Sequence, residues 1–369
     1  MTRPSQDIAS IMNVSRRHLL GAGTAVLAAG TVVLAAETAV LAAPPVLRAQ
    51  TPRRWRCVTS WPKNLVGPGI SVRRLARRIE DMSQGELVID VFAAGEIVPA
   101  FGVFEAVGTG SVEAGHSAAL FWQGKMPAAP IFTTVPFGLS PSAHAGWLES
   151  EGQMLWDALY AQHGVKPFLA GNTGPSTAGW FRKPVETIDN LAGLRIRVTG
   201  LGGEVYRRAG ATAMVIPPGE TYQALERGMI DAAELLAPVN DVQLGLHRVA
   251  PHLAYPGFNK PNGAAEFLIS ARIWQDLPVN LQAIVKAACQ AEHGHGLAEA
   301  AAGNALALRQ VVSAGAVPFR IPYPVLQHLQ KMASLVLLDV GAQDEMSSKI
   351  QSSYARALEA GRPWDAMTR

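Results

Sequence analysis

Arg197 stands in the short apolar run Leu194-Arg195-Ile196-Arg197-Val198, just ahead of Gly200-Leu201-Gly202-Gly203. Burying a guanidinium among apolar residues is costly unless an anion meets it, and its planar fork matches a carboxylate bidentately. A ligand carboxylate would serve; so would an internal acid, or exposure on an edge strand. Arg195 reads as structural. Glu234 continues the run Met229–Ala233 and precedes Leu235-Leu236-Ala237-Pro238. A carboxylate repels an anionic ligand unless a cation lies between them, so Glu234 is either a metal-ligand candidate or a hydrogen-bonded core acid. Glu266 is a similar second carboxylate. Trp61, Phe121, Trp122, Trp180, Phe181 and Phe258 are candidates for the walls of a cleft, although most aromatic residues are core.

Catalytic signatures are scarce. The sequence holds no GxSxG elbow, HExxH, CxxC or Walker loop. His293 and His295 are spaced wrongly for one helical face and read as solvent-facing. The Gly200 loop has Val205 where a dinucleotide loop needs its third glycine. No nucleophile with a partner and no acid/base pair can be named.

These side chains need elements to position them. The chain has 369 residues, 49% hydrophobic and 17% charged, enough for more than one core. Net charge is +3, but the first 49 residues hold Arg3, Arg16, Arg17 and Arg48 against Asp7 and Glu37, leaving 28 basic and 27 acidic residues beyond them. That balance excludes the clustered basic surface of a nucleic-acid binder. Two cysteines, Cys57 and Cys289, exclude a multi-Cys zinc site or disulfide framework. Ser15-Arg16-Arg17-His18-Leu19-Leu20 opens a run to Ala43 whose only charge is Glu37, followed by Pro44-Pro45. Residues 1–49 therefore read as a cleavable signal of the twin-arginine kind, which exports folded proteins. A membrane anchor of roughly 20 residues is the competing reading, weakened by Glu37, Gly21, Gly23 and Gly30. The expected location is the periplasm, where Cys57 and Cys289 could pair or remain isolated thiols.

Beyond Gln50, short β-runs alternate with helical stretches, which predicts an α/β fold. Arg54–Thr59 reads as a strand. Ser71–Ser83 reads as a helix with Val72, Leu75, Ala76, Ile79 and Met82 inward and its arginines on a solvated face. Leu87–Phe92 is the next strand. An internal echo follows: Phe104-Glu105-Ala106-Val107 before Gly110-Ser111-Val112-Glu113-Ala114, and Tyr222-Gln223-Ala224-Leu225 before Gly228-Met229-Ile230-Asp231-Ala232. With Leu87–Val91 and Leu194–Val198 as matching upstream strands, it indicates two lobes on one plan, 51–172 and 173–258. Ala265–Ser270 should run back toward the first lobe. Residues 259–369 hold this return strand and two helical stretches, Val279–Ala314 and Pro324–Leu358, packing on both lobes. The Ala-rich part, Leu297–Leu308, reads as a helix packed on both sides. A cleft between lobes is where a small ligand binds.

Ser60-Trp61-Pro62-Lys63-Asn64-Leu65, Gly95-Glu96-Ile97-Val98-Pro99, Gly171-Asn172-Thr173-Gly174, Gly179-Trp180-Phe181-Arg182, Leu194–Val198, Ala224–Glu234 and Tyr255-Pro256-Gly257 follow one another in a distinctive order. Over about residues 53 to 290 the chain resembles the substrate-binding subunit of TRAP (tripartite ATP-independent periplasmic) transporters. Within that family it is most similar to the branch that binds 2-oxo acids and related monocarboxylates such as pyruvate or lactate. The resemblance implies a two-lobed, type II-like periplasmic binding protein with hinge strands, no organic cofactor, and a sodium-driven membrane permease as partner. It implies Arg197 as the clamp on the ligand carboxylate, Asn172 in the cleft and Trp180 on its wall. It also implies a bridging cation, sodium or calcium, held by Glu234 and the backbone carbonyl of Leu235. Two positions depart from the pattern. Ser176 stands where relatives have a glutamine ligand, and Leu235 where they have tryptophan. The cation would then be held differently, through Glu266, or be absent, and the leucine would soften or enlarge the pocket. Some relatives dimerise through a long C-terminal helix, for which Pro324–Leu358 is the candidate.

The leading expectation is a solute receptor for a small 2-oxo or 2-hydroxy monocarboxylate. An exported enzyme and a ligand-sensing receptor for organic acids are the alternatives.

Overall fold

The first strand, β1 (Arg53–Thr59), opens with exposed arginines and ends buried, as expected of a strand entering a sheet from an edge. The computed structural model describes residues 51–368; the expected signal, residues 1–49, lies outside them. Its eleven strands form two mixed sheets. The first contains β1, β2 (Leu87–Phe92), β3 (Ala114–Ser117), β4 (Val165–Asn172) and, from much later in the chain, β10 (Ala264–Ser270), in the order β2-β1-β3-β10-β4. The second contains β5 (Gly179–Phe181), β6 (Arg195–Arg197), β7 (Thr212–Met214), β8 (Ala232–Ala233), β9 (His252–Tyr255) and β11 (Val317–Arg320), in the order β11-β9-β5-β8-β6-β7.

The two sheets share a plan. Three parallel strands (β2-β1-β3 and β7-β6-β8) are followed by an antiparallel one, β10 or β5, that has just crossed from the other sheet. The sequence echo marks the equivalent strands β3 and β8, and its acid has one job in both copies. Glu113 takes the Arg56 guanidinium (Nη2 at 2.9 Å) and the Arg56 amide; Asp231 takes the Arg195 guanidinium (Nη2 at 2.6 Å) and the Arg195 amide. The strand equivalent to Leu194–Val198 is thus β1, not Leu87–Val91. Local composition had paired it with the wrong neighbour, because two parallel strands of one sheet look alike in sequence.

Helix Pro68–Met82 buries Val72, Leu75, Ala76 and Ile79 against Trp55, Cys57, Leu87 and Ile89, in one apolar cluster. Its arginines are not all solvated: buried Glu292, on another helix, takes Arg74 at 2.6 Å and Arg78 at 3.7 Å. That helix, Val279–Ser313, runs unbroken through Gly294, packs on β4 of the first sheet and on helix Pro238–Leu244, and places Val311 in the core beside the second sheet. Its Ala-rich part packs on one side only, with Ala300 and Ala307 buried and Leu306 61% exposed. Helices Tyr323–Gly341 and Glu345–Thr368 complete the chain. Cys57 and Cys289 are free, buried thiols within the first core. Among the described residues no helix is long and apolar enough to cross a membrane.

Candidate ligand-binding site

The sheets are joined by two crossing segments, residues 173–178 after β4 and 256–263 after β9. They run side by side: the amides of Thr173, Ser176 and Ala178 donate to the carbonyls of Gly263 (3.0 Å), Lys260 (2.9 Å) and Ala254 (2.8 Å). Only glycine permits this approach at two places. A Cβ on Gly257 would lie 1.7 Å from the Ser176 carbonyl oxygen, and one on Gly263 2.0 Å from Thr173 Oγ1.

Arg197 ends β6 beside this crossing and is 1% exposed. Its Nε donates to the Ile216 carbonyl (3.0 Å) and its Nη1 to the Glu234 carbonyl (2.7 Å), leaving Nη2 without a hydrogen-bond partner among the described residues. Burial draws its pKa down to about 10, against the raising effect of Glu234 and Asp241, so the guanidinium remains charged at neutral pH. Two carbonyl anchors hold the fork rigid, which reduces the entropy lost when an anion binds it.

Glu234 follows β8 and is fully buried; its amide donates to the Arg197 carbonyl (2.9 Å). Its Oε1 lies 2.8 Å from Lys260 Nζ and accepts from Ser176 Oγ at 3.5 Å, while Oε2 accepts from Asn259 Nδ2 at 2.7 Å. The Lys260 ammonium also donates to the Leu235 carbonyl. Burial pulls the Lys260 pKa below the usual lysine value, and Glu234 opposes that shift.

Arg197 and Lys260 both line a small cavity, about 30 Å³, together with Thr133, Thr173, Thr199, Trp61, Leu120, Phe121 and Leu235. Its polarity is concentrated on two cations and three hydroxyls; the other walls are largely apolar. Trp61 is fixed in the wall through its indole N–H, which donates to His116 Nδ1 (2.8 Å), while the opposite ring nitrogen of His116 donates to the Ala170 carbonyl (2.9 Å). Burial pushes His116 down to about 4, so it serves this chain as a neutral ring. At the rim, Val66 exchanges hydrogen bonds of 2.7 Å with the side chains of Asn240 and Gln243, tying the loop after β1 to helix Pro238–Leu244.

Of the residues singled out from the sequence, Arg197, Glu234, Leu235, Ser176, Trp61 and Phe121 are at or beside this cavity. Six others lie away from it. Phe181 is core, its ring edge-on to Phe319 with centroids 5.7 Å apart. Asn172 bridges the crossing segments, donating to Asn262 Oδ1 (2.7 Å) and accepting from the Gly174 amide (2.8 Å). Trp180 is core in the second sheet, its N–H on Asp241 at 2.9 Å. Phe258 is stacked on Phe137, with ring centroids 5.0 Å apart. Trp122 and Glu266 satisfy each other: Glu266 accepts from Trp122 Nε1 (2.5 Å) and binds the Tyr160 hydroxyl (2.9 Å). Glu266 therefore does not join Glu234 around a cation; both its oxygens are spent inside the first lobe. Leu235 lines the cavity and is 2% exposed, packing also into the core of the second lobe.

Lys260 and Asn259 escaped the sequence reading. The available signal was Asn259-Lys260-Pro261-Asn262-Gly263, a polar stretch between two apolar strands. A hard metal ion would want six or more oxygen ligands. Here the carboxylate and carbonyl that could begin such a set are bonded to an ammonium instead. No group of three or more His, Cys, Asp or Glu side chains able to hold a metal occurs among the described residues.

Residues 64–344 match the family model described as bacterial extracellular solute-binding protein, family 7. The chain is 36% identical over 302 residues, 82% of its length and 83% of the relative's, to the monocarboxylate 2-oxoacid-binding periplasmic protein of Nostoc sp.. A TRAP transporter solute-binding protein from Bordetella bronchiseptica, a dimer with copurified calcium and picolinate in its site, superimposes with a TM-score of 0.84 at 32% identity, covering 86% of this chain and 95% of that one. The TRAP solute-binding protein of Pseudoalteromonas atlantica, with bound sodium and pyruvate, gives a TM-score of 0.83 at 32% identity, covering 86% and 97%. A metal ion accompanies the acid in these two solved structures. By sequence and architecture alike, the chain belongs to the family 7 extracellular solute-binding proteins, the substrate-binding subunits of TRAP transporters.

Proposed function

We propose that the protein is a periplasmic receptor for a small 2-oxo or 2-hydroxy monocarboxylate, which it passes unchanged to a TRAP membrane permease. The observation that carries this reading is the unpartnered Nη2 edge of Arg197, a buried cation lining a small and largely apolar cavity. A carboxylate supplies the anion that such a guanidinium lacks, and low polarity around it strengthens the pair. The threonine hydroxyls supply donors for the ligand's second oxygen group, and Trp61 and Phe121 exclude water from the ion pair. Pyruvate, the acid bound in one of the solved relatives, is the first candidate. The similarity to proteins that bind 2-oxo acids and pyruvate supports the same class.

Isothermal titration of the protein with pyruvate, 2-oxobutyrate, 4-methyl-2-oxopentanoate and lactate tests the proposal. Affinity should be highest for the three-carbon acids, and Arg197→Ala should weaken it at least ten-fold to hundred-fold, as loss of a hydrogen-bonded charge implies. Binding of none of these acids, or wild-type affinity in the Arg197 variant, would overturn the assignment.

A further inference from the structure

Two contacts fix one nitrogen atom, and a neighbouring serine fixes its surroundings. Lys260 Nζ lies 2.8 Å from Glu234 Oε1 and donates to the Leu235 carbonyl. Ser176, on the neighbouring crossing segment, places its hydroxyl between the Lys260 carbonyl (3.3 Å) and the same Glu234 oxygen (3.5 Å), and its amide donates to that carbonyl at 2.9 Å. The lysine is 4% exposed and lines the cavity that Arg197 also lines. An ammonium has three donors; Glu234 and Leu235 take two.

We infer that Lys260 is this receptor's own bridging cation: its ammonium occupies the place between Glu234 and the ligand, and its third N–H meets the bound acid. The inference rests on the proposed function and deepens it. A fixed ammonium neutralises Glu234, which would otherwise repel the ligand, and presents positive charge to the ligand's carboxylate or 2-oxo oxygen. It does so without the six or more oxygens that sodium or calcium would demand. Ser176 fits this arrangement, because a short hydroxyl leaves room for a lysine that a longer oxygen-bearing side chain would fill. Ligand binding then needs no metal, unlike a site in which the ion is a separate component whose concentration sets the apparent affinity.

The test is pyruvate titration of the full mature protein in sodium-free buffer with chelator, repeated with added sodium and with added calcium. The three dissociation constants should agree within about two-fold. A ten-fold loss on chelation, restored by either ion, would overturn the inference while leaving the receptor assignment intact; absence of binding in every buffer would overturn the receptor assignment itself. Lys260→Met, checked for folding by circular dichroism and thermal melting, should lower pyruvate affinity at least thirty-fold in chelated buffer. Lys260→Ala, which vacates the place beside Glu234, should recover part of its affinity when calcium is supplied. A Lys260→Met protein that folds and binds pyruvate as tightly as wild type would also overturn it. The metal-dependence of the unmodified protein decides the matter even if both variants fail to fold.

Discussion

Glu234 is satisfied entirely by neighbours from the crossing segments: an ammonium, an amide N–H and a hydroxyl. Buried pairs of this kind are costly to break by halves, because the surviving partner keeps its desolvation penalty and loses its counter-charge. Glu234→Gln should therefore lower folding stability by about 3 kcal/mol, read from urea denaturation. Adding Lys260→Met should return most of that loss while leaving the protein unable to bind pyruvate. A single variant within 1 kcal/mol of wild type would mean that water reaches the pair in solution. Arg197 behaves differently. Its two anchors are backbone carbonyls, so its truncation should harm binding far more than folding.

At the scale of elements, the site is made where two chain crossings lie against one another. Ser176 comes from one and Lys260 from the other, and their spacing is set by Gly257 and Gly263. Gly257→Ala would drive a methyl into a backbone carbonyl that cannot swing aside. It should cost about 2 kcal/mol in stability and weaken pyruvate binding as Lys260 and Ser176 are pushed apart. An unchanged urea midpoint with unchanged affinity would contradict the closeness of the two segments. The rim contact yields a second test. Replacing exposed Gln243 by alanine removes side-chain ties to the Val66 amide and the Asn64 carbonyl, and should speed pyruvate release in stopped-flow measurements while leaving the urea midpoint nearly unchanged. Unaltered release would show that these ties do not hold the lobes around the ligand.

For the whole molecule, stability should carry a signature of the carboxyl inside the first lobe. Burial pushes Glu266 up from 4.5 to about 8, despite the opposing hydrogen bonds from Trp122 and Tyr160. The native state keeps a proton there that the unfolded chain has released, so the native state binds more protons across that interval. By linkage, this residue's contribution is present in full below about pH 4.5 and is lost as pH rises through about 8. Glu266→Gln, neutral at every pH, lacks that decline. Thermal melts of wild type and variant between pH 5 and 8.5 should show their difference moving in the variant's favour as pH increases. A constant difference would mean that Glu266 is ionised in the fold. His116 and His144, both lowered to about 4 by burial, work in the opposite sense at acid pH, which the wild-type-minus-variant comparison cancels.

Much of the fold was legible along the chain because it follows from short-range rules. The period of Val72, Leu75, Ala76 and Ile79 specifies a helix with one buried face, and it folds so. The echo around Glu113 and Asp231 announces two similar units, since the same acid must meet an arginine on the adjacent strand in both. Arg197 could be picked out because a guanidinium in an apolar strand demands an anion wherever the strand goes. What the tertiary structure alone decided is the identity of each long-range partner. Trp122 and Glu266 are 144 residues apart, and Lys260 and Leu235 are 25 apart on different elements. Strand alternation states which residues share a face but not what that face meets. Hence Trp122, Trp180 and Glu266, equally plausible in a cleft, are core, whereas Lys260, inconspicuous in its loop, lies beside Glu234. The physical reason is that the two crossings, not any local pattern, determine which side chains leave water together.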